Sequence, residues 1–85
     1  MDKETVRQDI RGFIEETFLF GEDTDKLNDS DSFMQNGIVD STGILEVTSY
    51  VEEKYDISIE NDEMVPANLD SIENLSNFIS RKANG

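Results

Sequence analysis

The chain has 85 residues, enough for one domain and too few for a deep catalytic cleft, since a domain this small buries only roughly 60–65% of the surface its unfolded chain exposes. It carries 20 acidic and 7 basic residues, no histidine and a formal net charge of −13, which excludes the cationic footprint that nucleic acid or an anionic membrane needs. It has no cysteine, so disulfides and thiolate metal or redox sites are excluded, and a reducing, cytoplasmic setting is expected.

The opening MDKETVRQDIRG is charged and has no apolar run, so no signal peptide is expected, and no stretch reaches the apolar length of a membrane span. Residues 3–18 predict a helix. Val6, Ile10, Phe13, Ile14 and Thr17 fall at i, i+4, i+7, i+8 and i+11, a single face at 3.6 residues per turn. Leu19 and Phe20 extend the apolar character, and Gly21 supplies a C-terminal stop. The run EDTDKLNDSDSFMQNGIVD is rich in Asp, Asn, Ser and Gly and reads as loop. A loop of that length in a small domain is usually functional or disordered. Leu27, Phe33, Met34, Ile38 and Val39 supply apolar pegs along it, so an ordered loop pinned across the core is expected.

A second helix is predicted over 41–55, with Asp40 as N-cap and Ile44, Val47, Thr48, Val51 and Tyr55 as its core stripe. Its outward face carries Thr42, Glu46, Ser49 and Glu53, with Glu52 beside them; Leu45 and Tyr50 flank the stripe, Leu45 on the side nearer Ser41. In DISIENDEMVPANLD the alternating Ile57-Ser58-Ile59 has no second strand to pair with. An extended connector is expected there, then a short helix near 60–65 before Pro66. The last helix starts around Asp70 or Ser71, where Asp70 and Glu73 have capping-box spacing. Ile72, Leu75, Phe78 and Ile79 form its core face, and Arg81 and Lys82 complement the dipole at its end. The expected fold is all-α: a single domain over 1–85, a small four-helix bundle of three main helices and one short one, with a long ordered loop between the first two.

Several chemistries fall away. Without histidine a Ser-His-Asp triad cannot be built, and Ser41 has no base to activate it. GIVDSTG also misses the G-x-S-x-G nucleophile elbow, because Val39 stands where the first glycine is required. The acidic loop fails as a calcium loop in both frames. From Asp29, Phe33 and Met34 occupy the fifth and glycine positions; from Asp23, Leu27 stands fifth. No catalytic role and no dedicated metal site are expected.

What remains is Ser41 at a helix N-terminus, where unpaired N–H groups and the dipole favour an anion such as a phosphate, on a helix whose outer face is acidic. Capping by Asp40 and Ser41 alone is the plainer explanation of an Asp-Ser pair. The whole arrangement DSFMQNGIVDSTGILEVTSYVEEKYDISI, however, resembles the acyl carrier protein family. Its members share a Phe-centred loop, a glycine shortly before Asp-Ser, an acidic second helix and an aromatic-Asp-Ile-x-Ile exit. Here these are Phe33, Gly37, Asp40-Ser41, Glu46 with Glu52 and Glu53, and Tyr55-Asp56-Ile57-Ser58-Ile59. The similarity runs from about residue 3 to 81.

The resemblance implies that Ser41 receives 4′-phosphopantetheine from coenzyme A through a separate, magnesium-using phosphopantetheinyl transferase, and that Asp40 helps that transferase dock. It implies a non-enzymatic, monomeric carrier that holds acyl or aminoacyl groups as thioesters on the arm. Thr42, Leu45, Glu46, Ser49, Glu52 and Glu53 would then meet basic docking patches on an acyl- or aminoacyl-loading ligase and on downstream transferases or synthases. It also implies shelter for an acyl cargo between the second helix and the short one. Thr42 where the family commonly has leucine, Gly43 in the first turn and Ser49 in place of a large apolar residue point to a specialised pathway rather than housekeeping fatty-acid synthesis. The alternative is an acidic helical adaptor that binds a basic partner without a prosthetic group; weak calcium binding by the Asp-rich loop is a distant third.

Overall fold

The computed structural model describes residues 2–20 and 27–84, so the predicted stop at Gly21 and the first four positions of the calcium frame from Asp23 lie outside the described residues. Four helices follow in chain order: α1 over Lys3–Thr17, α2 over Ser41–Tyr55, α3 over Pro66–Leu69 and α4 over Ile72–Asn84. Among the described residues there is no strand, and no helix is long and apolar enough to cross a membrane. The fold is a small all-helical bundle.

Asp2 opens α1, accepting from the N–H of Glu4 at 3.4 Å and the hydroxyl of Thr5 at 3.1 Å. The predicted stripe divides by depth: Val6, Ile10 and Ile14 are buried, while Phe13 and Thr17 lie half-buried at its edge. Phe18 ends the helix, its N–H reaching Ile14 O at 2.9 Å.

Residues 27–40 cross the core as an ordered segment. Leu27, Phe33 and Val39 are buried and Ile38 is half-buried, but Met34 is 49% exposed. Met34 is therefore not a peg. Its N–H donates to Asp70 Oδ1 at 3.0 Å, which turns its side chain to the surface while Phe33 beside it fills the core. The segment is held from both sides. Arg11 donates to Leu27 O at 2.9 Å and to Asp29 at 2.6 Å; Glu73 N–H donates to Asp29 O and Phe33 N–H to Asp70 O, both at 2.8 Å. Gly37 takes φ +68°, the left-handed region in which a side chain is strained.

The predicted bounds of α2 hold, and Val47, Thr48 and Val51 are buried, with Ile44 and Tyr55 half-buried at the margins. Further on, one expectation is extended and one is corrected. The short helix before Pro66 is present as a single 3-10 turn over Asn61–Glu63, but a further helix, α3, begins at Pro66 itself, because proline's fixed φ and missing N–H suit the first helical position. Asp70 does not form a capping box with Glu73. Ser71 caps α4, its hydroxyl accepting from Asn74 N–H at 3.0 Å, while Asp70 is engaged by Ser32 and Met34. Ile72, Leu75, Phe78 and Ile79 are buried as predicted, and α4 packs chiefly against α1. Arg81 and Lys82 do more than face the helix dipole: they reach Asn68 and Glu63, each at 3.0 Å.

Candidate functional site

Asp40 and Ser41 divide the work at the start of α2. Asp40 has an extended backbone and its Oδ1 accepts from Gly43 N–H at 2.7 Å, satisfying one of the helix's orphan donors. Its carbonyl takes the N–H of Ile44 at 3.0 Å. The cap is thus complete without Ser41. The serine is the first residue of the 15-residue helix, is exposed, and has no hydrogen bond to its hydroxyl among the described residues. The remaining N–H groups of the first turn lie beside it, as does the positive end of the helix dipole.

A cavity of about 200 Å³ opens next to this serine. Ser41 and Ile44 from α2, Met34 from the preceding segment, and Met64, Val65, Pro66 and Leu69 around α3 line it, with Asp70 at its edge. The lining is mostly apolar, and three apolar side chains near the serine stay in solvent: Met34, Val65 at 40% exposure and Leu45 at 57%.

The wall that carries Met64 and Val65 is built from polar contacts. Glu63 accepts from Glu60 N–H at 2.9 Å and from Lys82 Nζ at 3.0 Å. The Glu60 N–H, and after it the Lys82 ammonium, hold its carboxyl below the usual carboxylate range. Asn68 donates to Glu63 O at 2.9 Å, and Asn74 donates to Pro66 O at 3.2 Å. On the opposite side Asp70 accepts the Ser32 hydroxyl through one oxygen and Met34 N–H through the other.

Of the residues predicted for partner binding, Thr42, Leu45, Glu46, Ser49 and Glu53 are exposed along α2. Glu52 is set apart from them: it is half-buried and accepts from Ile59 N–H at 2.9 Å, fastening the connector back onto α2. In the loop, Asp29 pairs with Arg11 at 2.6 Å and lies 3.4 Å from Arg7, and Asp31 accepts from Asn28 N–H. Among the described residues no three carboxylates converge on a metal position.

One cluster carries no signal in the sequence. Asp9 of α1 accepts from Tyr50 at 2.9 Å and Tyr55 at 2.5 Å, and Phe13 stacks on Tyr50 with ring centroids 4.0 Å apart. Asp9 lies between the core residues Val6 and Ile10, so only the pairing of α1 with α2 reveals its partners. The cavity lies between α2 and the segment around α3, where the resemblance puts a pocket, but its wall residues Met64 and Val65 carry no periodic signal, because they lie in an acidic, aperiodic stretch. No protein-family model matches the chain, and no curated protein matches it.

Proposed function

We propose that the protein is a free-standing acyl carrier protein: Ser41 takes a 4′-phosphopantetheine arm from coenzyme A, and the protein presents the cargo on that arm to enzymes of a specialised biosynthetic pathway. The Ser41 hydroxyl carries this reading. It is exposed, left free by a cap that Asp40 completes, and set beside an apolar cavity. The resemblance described above supports the same serine.

The residues present suit such a group. The hydroxyl is accessible, unpaired helix N–H groups favour the phosphate's charge, and the cavity offers apolar surface to a chain lying beside α2. When bound, the arm supplies a terminal thiol on which an acyl or aminoacyl group is held as a thioester. Ser41 Oγ supplies the oxygen of the new O–P bond; its proton is lost and the adenosine 3′,5′-bisphosphate half of coenzyme A leaves. The base is assigned to the transferase, since this chain has no histidine and Asp40 Oδ1 is committed to Gly43 N–H. Asp40 Oδ2 stays available to that transferase. Thr42, Leu45, Glu46, Ser49 and Glu53 present an acidic face with one apolar member to basic patches on the transferase, the loading ligase and the enzymes downstream.

The test is intact mass after incubation with coenzyme A, magnesium and a broad-specificity phosphopantetheinyl transferase. One phosphopantetheinyl addition is expected, absent in Ser41→Ala. No addition under conditions that fully modify a control carrier would leave the acidic adaptor as the better reading.

A further inference from the structure

Gly43 sets a puzzle within the first turn of α2, where glycine weakens a helix relative to alanine. The packing around it supplies a reason. A Cβ at this position would lie 2.9 Å from Phe18 Cε1, 3.0 Å from Val39 Cγ1 and 3.3 Å from Asp40 Oδ1, and real Cβ atoms essentially never come within 3.0 Å of such neighbours. Each of the three is held by contacts of its own. Phe18 is tied by its N–H to Ile14 O, and its ring stands edge-on to Phe13 at 6.1 Å and 85°. Val39 is buried. Asp40 Oδ1 already receives the N–H of Gly43 itself. A methyl group would press at once on the ring, the core and the cap. A shift of the first turn of α2 relieves all three contacts together, and that turn carries Ser41.

We infer that Gly43 and Phe18 form a positioning contact for Ser41. The bare Cα lets the aromatic ring at the end of α1 abut the first turn of α2, and this abutment sets where the hydroxyl stands. The inference rests on the carrier reading, because the residue positioned is the one to be modified. It also gives a purpose to the two phenylalanines at the end of α1. Phe18 braces α2 beside the serine, and Phe13, stacked on Tyr50, braces it two turns further on.

The experiment compares wild type, Gly43→Ala, Phe18→Leu and the double variant by two readouts: the rate of phosphopantetheinyl transfer to Ser41, and amide hydrogen exchange over residues 41–44 in the unmodified proteins. Gly43→Ala should slow transfer on the order of tenfold, since misplacing a reacting group by about 1 Å costs up to a hundredfold. It should also speed exchange in the first turn, whereas the better helix propensity of alanine alone would slow it. Leucine lacks the ring atom that a Gly43 Cβ would meet most closely, so Phe18→Leu placed in the Gly43→Ala background should relieve part of both defects, the approaches to Val39 and Asp40 remaining. Transfer at the wild-type rate with unchanged or slower exchange in Gly43→Ala overturns the inference, and so does a defect that Phe18→Leu does not relieve. If Gly43→Ala fails to fold, recovery of helical circular dichroism in the double variant upholds the contact, and failure to recover overturns it. A wild-type protein that accepts no arm would remove the carrier reading alone, and the exchange comparison would still decide the contact.

Discussion

Asp40 performs two tasks that substitution can separate. Its Oδ1 caps α2 through Gly43 N–H, and its charge sits beside the serine proposed for modification. Asparagine caps helices about as well as aspartate, whereas alanine at an N-cap costs about 0.5–2 kcal/mol. Asp40→Asn is therefore expected to melt close to wild type, and Asp40→Ala to lose several degrees, since about 1 kcal/mol shifts Tm by roughly 4–8 °C in a domain of this size. If the carboxylate also serves the transferase, both variants should be modified more slowly. Thermal melts followed by circular dichroism, beside the transfer rate, check the two tasks independently; an Asp40→Asn protein modified at the wild-type rate would leave Asp40 as a cap alone. Glu52 shows the same need to separate roles. Its place next to the outward face suggested a docking residue, yet its carboxylate holds Ile59 N–H. A charge reversal there would disturb the connector before it disturbed a partner.

Among the elements, the 61–66 segment and α3 hold to the bundle in the most polar way. Glu63 takes Glu60 N–H and Lys82, Asn68 ties back to Glu63 O, and Arg81 reaches Asn68. The sign of the pH dependence follows from Glu63, whose carboxyl is held below its ordinary value. A depressed carboxyl contributes stability that is present above its unfolded pKa, near 4.3, and is lost as pH falls through the lower folded value. Amide exchange over 61–69, corrected for its intrinsic pH dependence, is expected to lose protection below about pH 4 before the core face of α4 does. Lys82→Met should produce part of that loss at neutral pH; uniform loss across α3 and α4 would contradict a locally held wall. This segment was also the least legible in the sequence. Helices α1, α2 and α4 declare themselves through apolar spacing at 3.6 residues, which is why Val6, Ile10 and Ile14, or Leu75, Phe78 and Ile79, were readable as core. Four-residue α3 is too short for periodicity, and its start had to be read from Pro66 alone. The cap of α4 was missed by one residue. Asp70 and Ser71 are both good caps, and only the distant partners Ser32 and Met34 decide which of them is otherwise engaged. Ser41 is legible because its Asp-Ser signal is local; the place of its cavity follows from the resemblance alone, and its wall residues do not show in the sequence because they come from segments about 25 residues apart.

At the scale of the whole molecule, α1 and α2 meet through a polar cluster as much as through the core. Asp9 accepts the hydroxyls of both tyrosines the chain possesses, and Lys54 lies 3.7 Å from the same carboxylate. Burial first, then the hydrogen bond to Asp9 and its negative charge, push Tyr50 up to about 12 and Tyr55 further in the same direction. A phenol whose folded pKa is raised contributes stability that is fully present below the unfolded value of about 10 and is lost as pH rises through the folded value. The helical signal should therefore persist through pH 10 and fall between about 10 and 12, the unfolded chain ionising its tyrosines more readily than the folded one. The chain has no tryptophan, so the phenolate absorbance reports these two residues without interference. That absorbance is expected to rise together with the loss of far-ultraviolet circular dichroism, in one transition. Asp9→Asn removes the carboxylate charge and should move phenolate formation to lower pH, detaching it from the loss of helix. Two tyrosines that ionise near pH 10 while the helical signal stays intact would show that the Asp9 cluster does not fasten α1 to α2, and that the bracing of the second helix rests on the aromatic contacts of Phe13 and Phe18 alone.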